Sequence, residues 1–166
     1  TALYPYDPAR AKSLLAQAGV TKDTVFEMVL PSNYPPHVKA GEMYQEMLSK
    51  VGLNVQIKQV DWPTWLKDVY TGAKYDFTVI GHTGKLDPDG TLGGYGTEKR
   101  YVRWVNAQTA ELIAKGATTI GYENRRKLYD QAMEIMAKEV PFVFTGTSYR
   151  RIVTNKRVRG FRMDPV

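Results

Sequence analysis

The chemistry open to this 166-residue chain is bounded by its two histidines, His37 and His82, and by the lack of any cysteine. Without cysteine there are no disulfides, thiolate metal ligands or thiol nucleophiles. Neither histidine lies in an HExxH or other two-histidine arrangement, which argues against a zinc site. Asp87-Pro88-Asp89-Gly90 resembles part of a calcium loop, but its glycine comes at the wrong place and a further carboxylate is missing. It reads instead as an Asp-Pro turn closed by a second aspartate. No G-x-S-x-G elbow and no P-loop is present. Gly93-Gly94-Tyr95-Gly96 does not stand between a strand and a helix, as a dinucleotide motif would. No metal and no cofactor is therefore expected. What remains is a set of amides, hydroxyls, aromatic rings and carboxylates: Asn33, Tyr34, Trp62, Gly81, His82, Thr83, Asp87 and Asp89. That is the make-up of a binding site for a polar small molecule, with Asp87 or Asp89 able to pair with a ligand ammonium. The competing reading is an α/β enzyme using His82 with Asp87 or Asp89.

These residues need a scaffold that brings them to one rim. Asp7-Pro8 opens a first helix, with Ala11, Leu14, Leu15 and Ala18 on one apolar face and Gly19 as its stop. Val25 to Leu30 reads as a strand covered on both sides. A helix follows from about His37 to Val51, with Ala40, Tyr44, Met47, Leu48 and Val51 inward. Val55 to Val60 is a second strand, Asp61-Trp62-Pro63 starts a short helix ending near Gly72, and Phe77 to Ile80 is a third strand. The order β-α-β-α-β implies a mostly parallel central sheet flanked by helices. In such sheets ligands bind beyond the carboxyl ends of the strands. Those ends are Ser32 to Tyr34, Asp61 to Trp62 and Gly81 to Lys85.

The stretch from Asp76 to Arg103 leaves the third strand and is too long for an ordinary connection, so it is expected to face a ligand. Asn106 then caps a helix carrying Ala110, Leu112, Ile113 and Ala117. Another helix runs from Tyr122 to Glu139, with Leu128, Tyr129, Ala132, Met133 and Met136 as its stripe, and Pro141 ends it. Phe142 to Thr145 and Tyr149 to Val153 read as strands about a turn at Gly146.

Length and an apolar fraction of 43% suit one α/β domain, residues 1–166, with a real core. No run approaches a membrane span, and the opening TALYPYDPAR has no basic region followed by an apolar stretch. The net charge of +6 is uneven: residues 1–99 carry 10 Lys+Arg against 11 Asp+Glu, and residues 100–166 carry 13 against 6. Arg150, Arg151, Lys156, Arg157, Arg159 and Arg162 would form the surface of a nucleic-acid-binding module. Only Tyr149 and Phe161 lie near them for base stacking, so the basic half is assigned to solvent or to another domain, with no nucleic-acid partner.

Several segments, in order, resemble one family. Tyr6-Asp7-Pro8-Ala9-Arg10-Ala11-Lys12 with Leu14-Leu15 and Ala18-Gly19 is similar to the YDPxKAKxLLxxAG segment of the family 5 extracellular solute-binding proteins. Tyr44-Gln45 through Val51-Gly52-Leu53-Asn54-Val55, Tyr75-Asp76-Phe77 with Asp87-Pro88-Asp89, and Arg125 to Tyr129 through Pro141-Phe142 resemble later segments of the same family. A tryptophan often found after the third strand is replaced here by Gly81-His82. The resemblance implies a lobe of the type II periplasmic-binding-protein kind. The chain would then be a fragment, most of the C-terminal lobe of a two-lobed receptor, with residues 155–166 as a crossover tail toward the missing lobe. It further implies a non-enzymatic, extracytoplasmic protein that closes on a small solute, most commonly a peptide, and delivers it to the membrane permease of an ABC importer. Asp87 and Asp89 would lie on the cleft side.

Overall fold

A computed structural model describes residues 3–147 and 151–162. The chain divides into two compact units, Thr1–His82 with Gly94–Val105, and Thr83–Gly93 with Asn106–Val166.

Unit 1 opens with α1 (Pro8–Gln17), where the Asp7 carboxylate accepts from the Arg10 amide at 2.9 Å and Pro8 takes the first helical position. Its expected apolar face finds little cover: no residue of α1 is buried, and Leu14 is 53% exposed. Strands β1 (Val25–Pro31) and β2 (Asn54–Val60) pair in parallel, from Val25 opposite Asn54 to Pro31 opposite Val60. Helix α2 (Pro35–Ser49) makes the crossover between them. Val38, Tyr44 and Leu48 of α2 pack on Met28, Leu30 and Val55. Gly41 is the buried residue of α2, and a Cβ there would stand 2.5 Å from a Leu30 methyl, so the helix lies against the sheet at a glycine. Met47, read as inward, is 53% exposed.

The other face of the sheet is covered by α3 (Trp62–Thr64) and the π-helical segment Trp65–Thr71 that continues it. Asp61 caps this start through the Thr64 amide at 2.8 Å. Trp65 and Val69 are buried against Val29, with Trp62, Tyr75 and Ile80 around them. Trp65 and Val69 stand four residues apart and so share the sheet side of the helix.

The third strand is shorter than the sequence suggests. Phe77 forms a single parallel bridge to Met28, its carbonyl accepting from the Val29 amide at 2.9 Å. Extension of the ladder would bring the next backbone N–H to the Val29 carbonyl. That carbonyl accepts from the Thr78 hydroxyl at 2.7 Å, where the pairing stops.

Unit 2 contains α4 (Pro88–Leu92), α5 (Ala107–Thr118) and α6 (Tyr122–Glu139). The stretch expected as one long loop thus carries a short helix. The caps of α5 and α6 fall where the sequence places them: Asn106 accepts from the Thr109 amide at 2.9 Å, and Gly121 precedes α6 at φ 92°. Thr109, Ile113 and Gly116 of α5 and Tyr129, Ala132 and Met136 of α6 are buried. Thr109, Gly116 and the exposure of Met133 correct the apolar stripes read from the sequence. Residues 142–145 form no strand, and neither do 151–153; Tyr149 and Arg150 lie outside the described residues. Among the described residues no sheet edge pairs with these segments, and a strand needs one to satisfy its backbone.

Gly116 is the tightest point of the α5–α6 pair: a Cβ there would meet the Tyr129 ring at 2.7 Å. Gly116→Ala is expected to lower stability by about 1 kcal/mol net, because overpacking of about 1–3 kcal/mol exceeds the roughly 1 kcal/mol gained in helix propensity. Urea unfolding checks it. In a Tyr129→Leu background, where the ring is gone, the same change is expected to stabilise.

Candidate functional site

In unit 1 the carboxyl ends of β1, β2 and the Phe77 segment carry a row of rings. Tyr34 follows β1 and stands at the start of α2; its ring lies 5.3 Å from His37 and meets Trp62 edge-on at 5.2 Å. Trp62, directly after β2 and the Asp61 cap, stacks on Trp65 at 5.0 Å with the planes 5° apart. Trp65 meets Tyr101 edge-on at 6.1 Å, and Tyr101 lies 5.8 Å from His82. Tyr70 and Tyr75 flank Tyr101 at 5.3 and 6.3 Å. Such tilted, edge-on and stacked pairs each add about 0.5–1.5 kcal/mol beyond the area they bury.

The row is anchored from below. Trp65 is 1% exposed, and its indole N–H donates to the Thr78 hydroxyl at 3.1 Å. Thr78 donates in turn to the Val29 carbonyl. The Asp76 carboxylate accepts from the Glu27 amide at 2.7 Å, which holds the same segment against β1. The Tyr75 hydroxyl donates to the Tyr101 carbonyl at 3.0 Å and brings the 94–105 segment to the row.

Of the residues read from the sequence, Tyr34, Trp62, Gly81 and His82 join this arrangement, whereas Asn33 is exposed beside it. Trp62 is half-buried, with one face on Trp65. Gly81 lies against His37, whose Nε2 would stand 3.2 Å from a Cβ there. His37 and Tyr101 were not among the expected site residues. His37 was findable: it is three residues past Tyr34, on the first turn of the helix that leaves the rim. Tyr101 was not, since its partner His82 is 19 residues away and no periodicity links them.

Neither histidine is poised to carry charge. Burial lowers His37 below the ordinary value near 6.5, and its buried Nδ1 has no hydrogen-bond partner among the described residues. His82 is lowered first by burial and then by the positive charge of Arg100. Its Nε2 is 2.8 Å from the Tyr101 hydroxyl. An open groove lined by Ser32, Pro35, Val38, Lys39, Glu42 and Gln59 lies beside the β1 and β2 ends.

In unit 2, Thr83 is exposed. The Asp87-Pro88-Asp89 stretch opens a helix rather than closing a turn: the Asp87 carboxylate caps α4 by accepting from the Asp89 amide at 2.9 Å. It also accepts from Arg125 at 2.8 Å. The Asp89 amide and then Arg125 hold the Asp87 carboxyl below its ordinary range. Asp87 is thus neutralised within unit 2, and no ion pair engages Asp89 among the described residues.

Comparison with known proteins supplies the context for these features. The model of the bacterial extracellular solute-binding proteins, family 5 (middle), matches residues 1–101. The di/tripeptide-binding protein 1 of Pseudomonas aeruginosa is 32% identical over 97% of this chain. The alignment takes in only 32% of that protein, so the chain spans about a third of the length of the curated relatives it matches. Among solved structures, the ABC transporter-associated periplasmic binding protein DppA of Helicobacter pylori, in complex with the peptide STSA, superimposes with a TM-score of 0.74. That match is 26% identical and covers 84% of this chain and 28% of that one. AgaA of A. tumefaciens, in complex with agropinic acid, gives 0.68 at 28% identity, over 78% of this chain and 28% of that one.

Two outcomes follow from the unit 1 geometry. Thr78→Val removes the partner of both the Trp65 indole and the Val29 carbonyl, and is expected to cost about 1–3 kcal/mol by urea unfolding, with Thr78→Ser near wild type. The histidines give a pH dependence of definite sign. As pH falls through the ordinary value near 6.5, the unfolded chain takes up protons that the folded His37 and His82, both lowered, refuse. Stability therefore falls with pH in that window and stops responding to them once pH passes their lowered values. Unfolding midpoints between pH 7.5 and 5.5 are expected to show this slope, and a His37→Phe, His82→Phe double variant to flatten it.

Proposed function

The chain belongs to the bacterial extracellular solute-binding proteins of family 5, and on that premise we propose that it is a ligand-binding lobe of a peptide receptor serving an ABC importer. Its fold is the α/β fold of the type II periplasmic binding proteins, with parallel strands under helices. The reading takes residues 1–166 as most of the C-terminal lobe of a longer two-lobed protein. Residues 155–166 run toward the other lobe. The full-length protein works outside the cytoplasm, closes on a small solute and presents it to the permease.

The observation that carries peptide as the solute is the alignment of nearly the whole chain with a di/tripeptide-binding protein. The ligand-contacting residues are Asn33, Tyr34, Trp62, Gly81 and His82 in unit 1, and Thr83, Asp87 and Asp89 in unit 2. In the latter group the Asp87 carboxylate already holds α4 and Arg125 and would meet the ligand only through its remaining acceptor capacity, whereas Asp89 is the carboxylate left for a ligand ammonium. The protein performs no chemistry on what it binds. In support, the family to which the chain belongs is one of solute-binding proteins. The basic side chains after residue 150 meet solvent or the other lobe and do not bind nucleic acid.

Isothermal titration of the full-length protein with a pool of di- to pentapeptides tests the reading, with the 166-residue chain alone as control. Saturable binding is expected for the full-length protein. The chain alone is expected to bind at least about tenfold more weakly, since each lost 1.4 kcal/mol of contact is a decade in affinity. No binding by the full-length protein would remove peptide as the ligand. Binding of an opine such as agropinic acid in its place would move the assignment to that class.

A further inference from the structure

We propose that His82 is a specificity-determining residue whose neutral ring presents an Nδ1–H donor to a carboxylate oxygen of the ligand. The proposal rests on the reading of the unit 1 rim as a ligand surface. It begins with the 2.8 Å contact between His82 Nε2 and the Tyr101 hydroxyl. Either atom can donate in principle, depending on the tautomer. An unprotonated imidazole nitrogen is a far stronger acceptor than a phenol oxygen, and the phenol is the stronger acid. Burial raises Tyr101 above the ordinary tyrosine value, so the hydroxyl keeps its proton. Tyr101 therefore donates, Nε2 accepts, and the single ring proton of neutral His82 resides on Nδ1.

The orientation of this donor is set by packing. Tyr101 is wedged among Trp65, Tyr70 and Tyr75, and its carbonyl is held by the Tyr75 hydroxyl. The other tautomer would keep the contact only with the phenol oxygen as acceptor, which is the weaker arrangement. Among the described residues the ring makes no second hydrogen bond, and His82 is covered on the Tyr101 side while the rest of it meets solvent. A polar N–H on an otherwise aromatic surface is the kind of group that fixes a ligand's orientation. The sign of the partner follows from Arg100. Its positive charge is felt at His82, where it disfavours the imidazolium. The same field favours an anionic acceptor over a neutral one, and a charged acceptor makes the stronger hydrogen bond with an N–H donor.

The test uses the full-length protein with 15N-labelled imidazoles, read by long-range 1H–15N correlation at pH 8. The resonances of His82 are those lost in His82→Phe. The Nδ1–H pattern is expected, and Tyr101→Phe is expected to return His82 to the Nε2–H tautomer that free imidazoles favour. Acetate is expected to shift the Nδ1–H signal of the wild type, whereas N-methylacetamide moves it little. With Ala-Ala as probe, His82→Phe is expected to weaken binding about tenfold or more, the range for a hydrogen bond to a charged group, and to weaken Ala-Ala amide by a clearly smaller factor. An Nε2–H tautomer in the wild type, no response to acetate, or equal losses for acid and amide would each overturn the proposal. Failure of the wild type to bind Ala-Ala, with the acetate response intact, would count against the peptide reading and leave the carboxylate donor standing.

Discussion

The rim of unit 1 depends on one buried hydrogen-bonded relay, from the Trp65 indole to the Thr78 hydroxyl and from there to the Val29 carbonyl. An indole N–H left unpaired at 1% exposure would cost about 1–3 kcal/mol, so Trp65 is compatible with this position only because Thr78 reaches it. The same hydroxyl takes the carbonyl that the sheet ladder would otherwise use. One side chain thus stands where the third strand stops and fixes the ring on which Trp62 stacks. The chain leaves the sheet at Gly81 and His82 with its backbone already placed by this relay. Ordering the rim and shortening the sheet are a single event.

Much of this scaffold was legible because it is local. Asp7, Asp61 and Asn106 each accept from the backbone three residues on, and the position of a cap can be read from residue type and the pattern that follows it. Parallel pairing of β1 with β2 followed from alternation of strands with helices. Periodicity was less reliable for which residues face inward. Gly41 and Gly116 are buried where larger neighbours were expected, because a helix that lies close to its partner buries the residue without a side chain. The strand after Pro141 was misread since β-branched and aromatic composition does not supply an edge to pair with. Tyr101 reads from the sequence as a packing residue where the loop rejoins the body, and its contact with His82 exists only once the chain has folded back.

Unit 2 shows how a plausible ligand carboxylate is changed by its neighbours. Asp87 looked like an anionic contact from the sequence. In the fold it is already matched by the α4 amide and by Arg125, two partners that keep it ionised and occupied. An exposed ion pair of this kind contributes only modestly to stability. Its effect is geometric: it ties the short α4 to α6 and so sets the direction in which Asp89 leaves the first turn. The surface charges of α5 and α6 follow the same economy of position, with Lys115 and Glu111, Arg126 and Asp130, and Lys138 and Glu134 paired one helical turn apart.

The face-to-face stack of Trp62 on Trp65 also makes the rim an optical device. Two indoles 5.0 Å apart with nearly parallel planes are coupled transition dipoles, so their absorption and circular dichroism belong to the pair rather than to either ring. Tyr34, Tyr70 and Tyr101 lie within 5.2 to 6.2 Å of one or other indole and feed excitation into it. One member of the pair is sealed in the core and the other is half open to solvent. Light absorbed across the aromatic row is therefore emitted from a site where its colour and yield respond to whatever touches the outer indole.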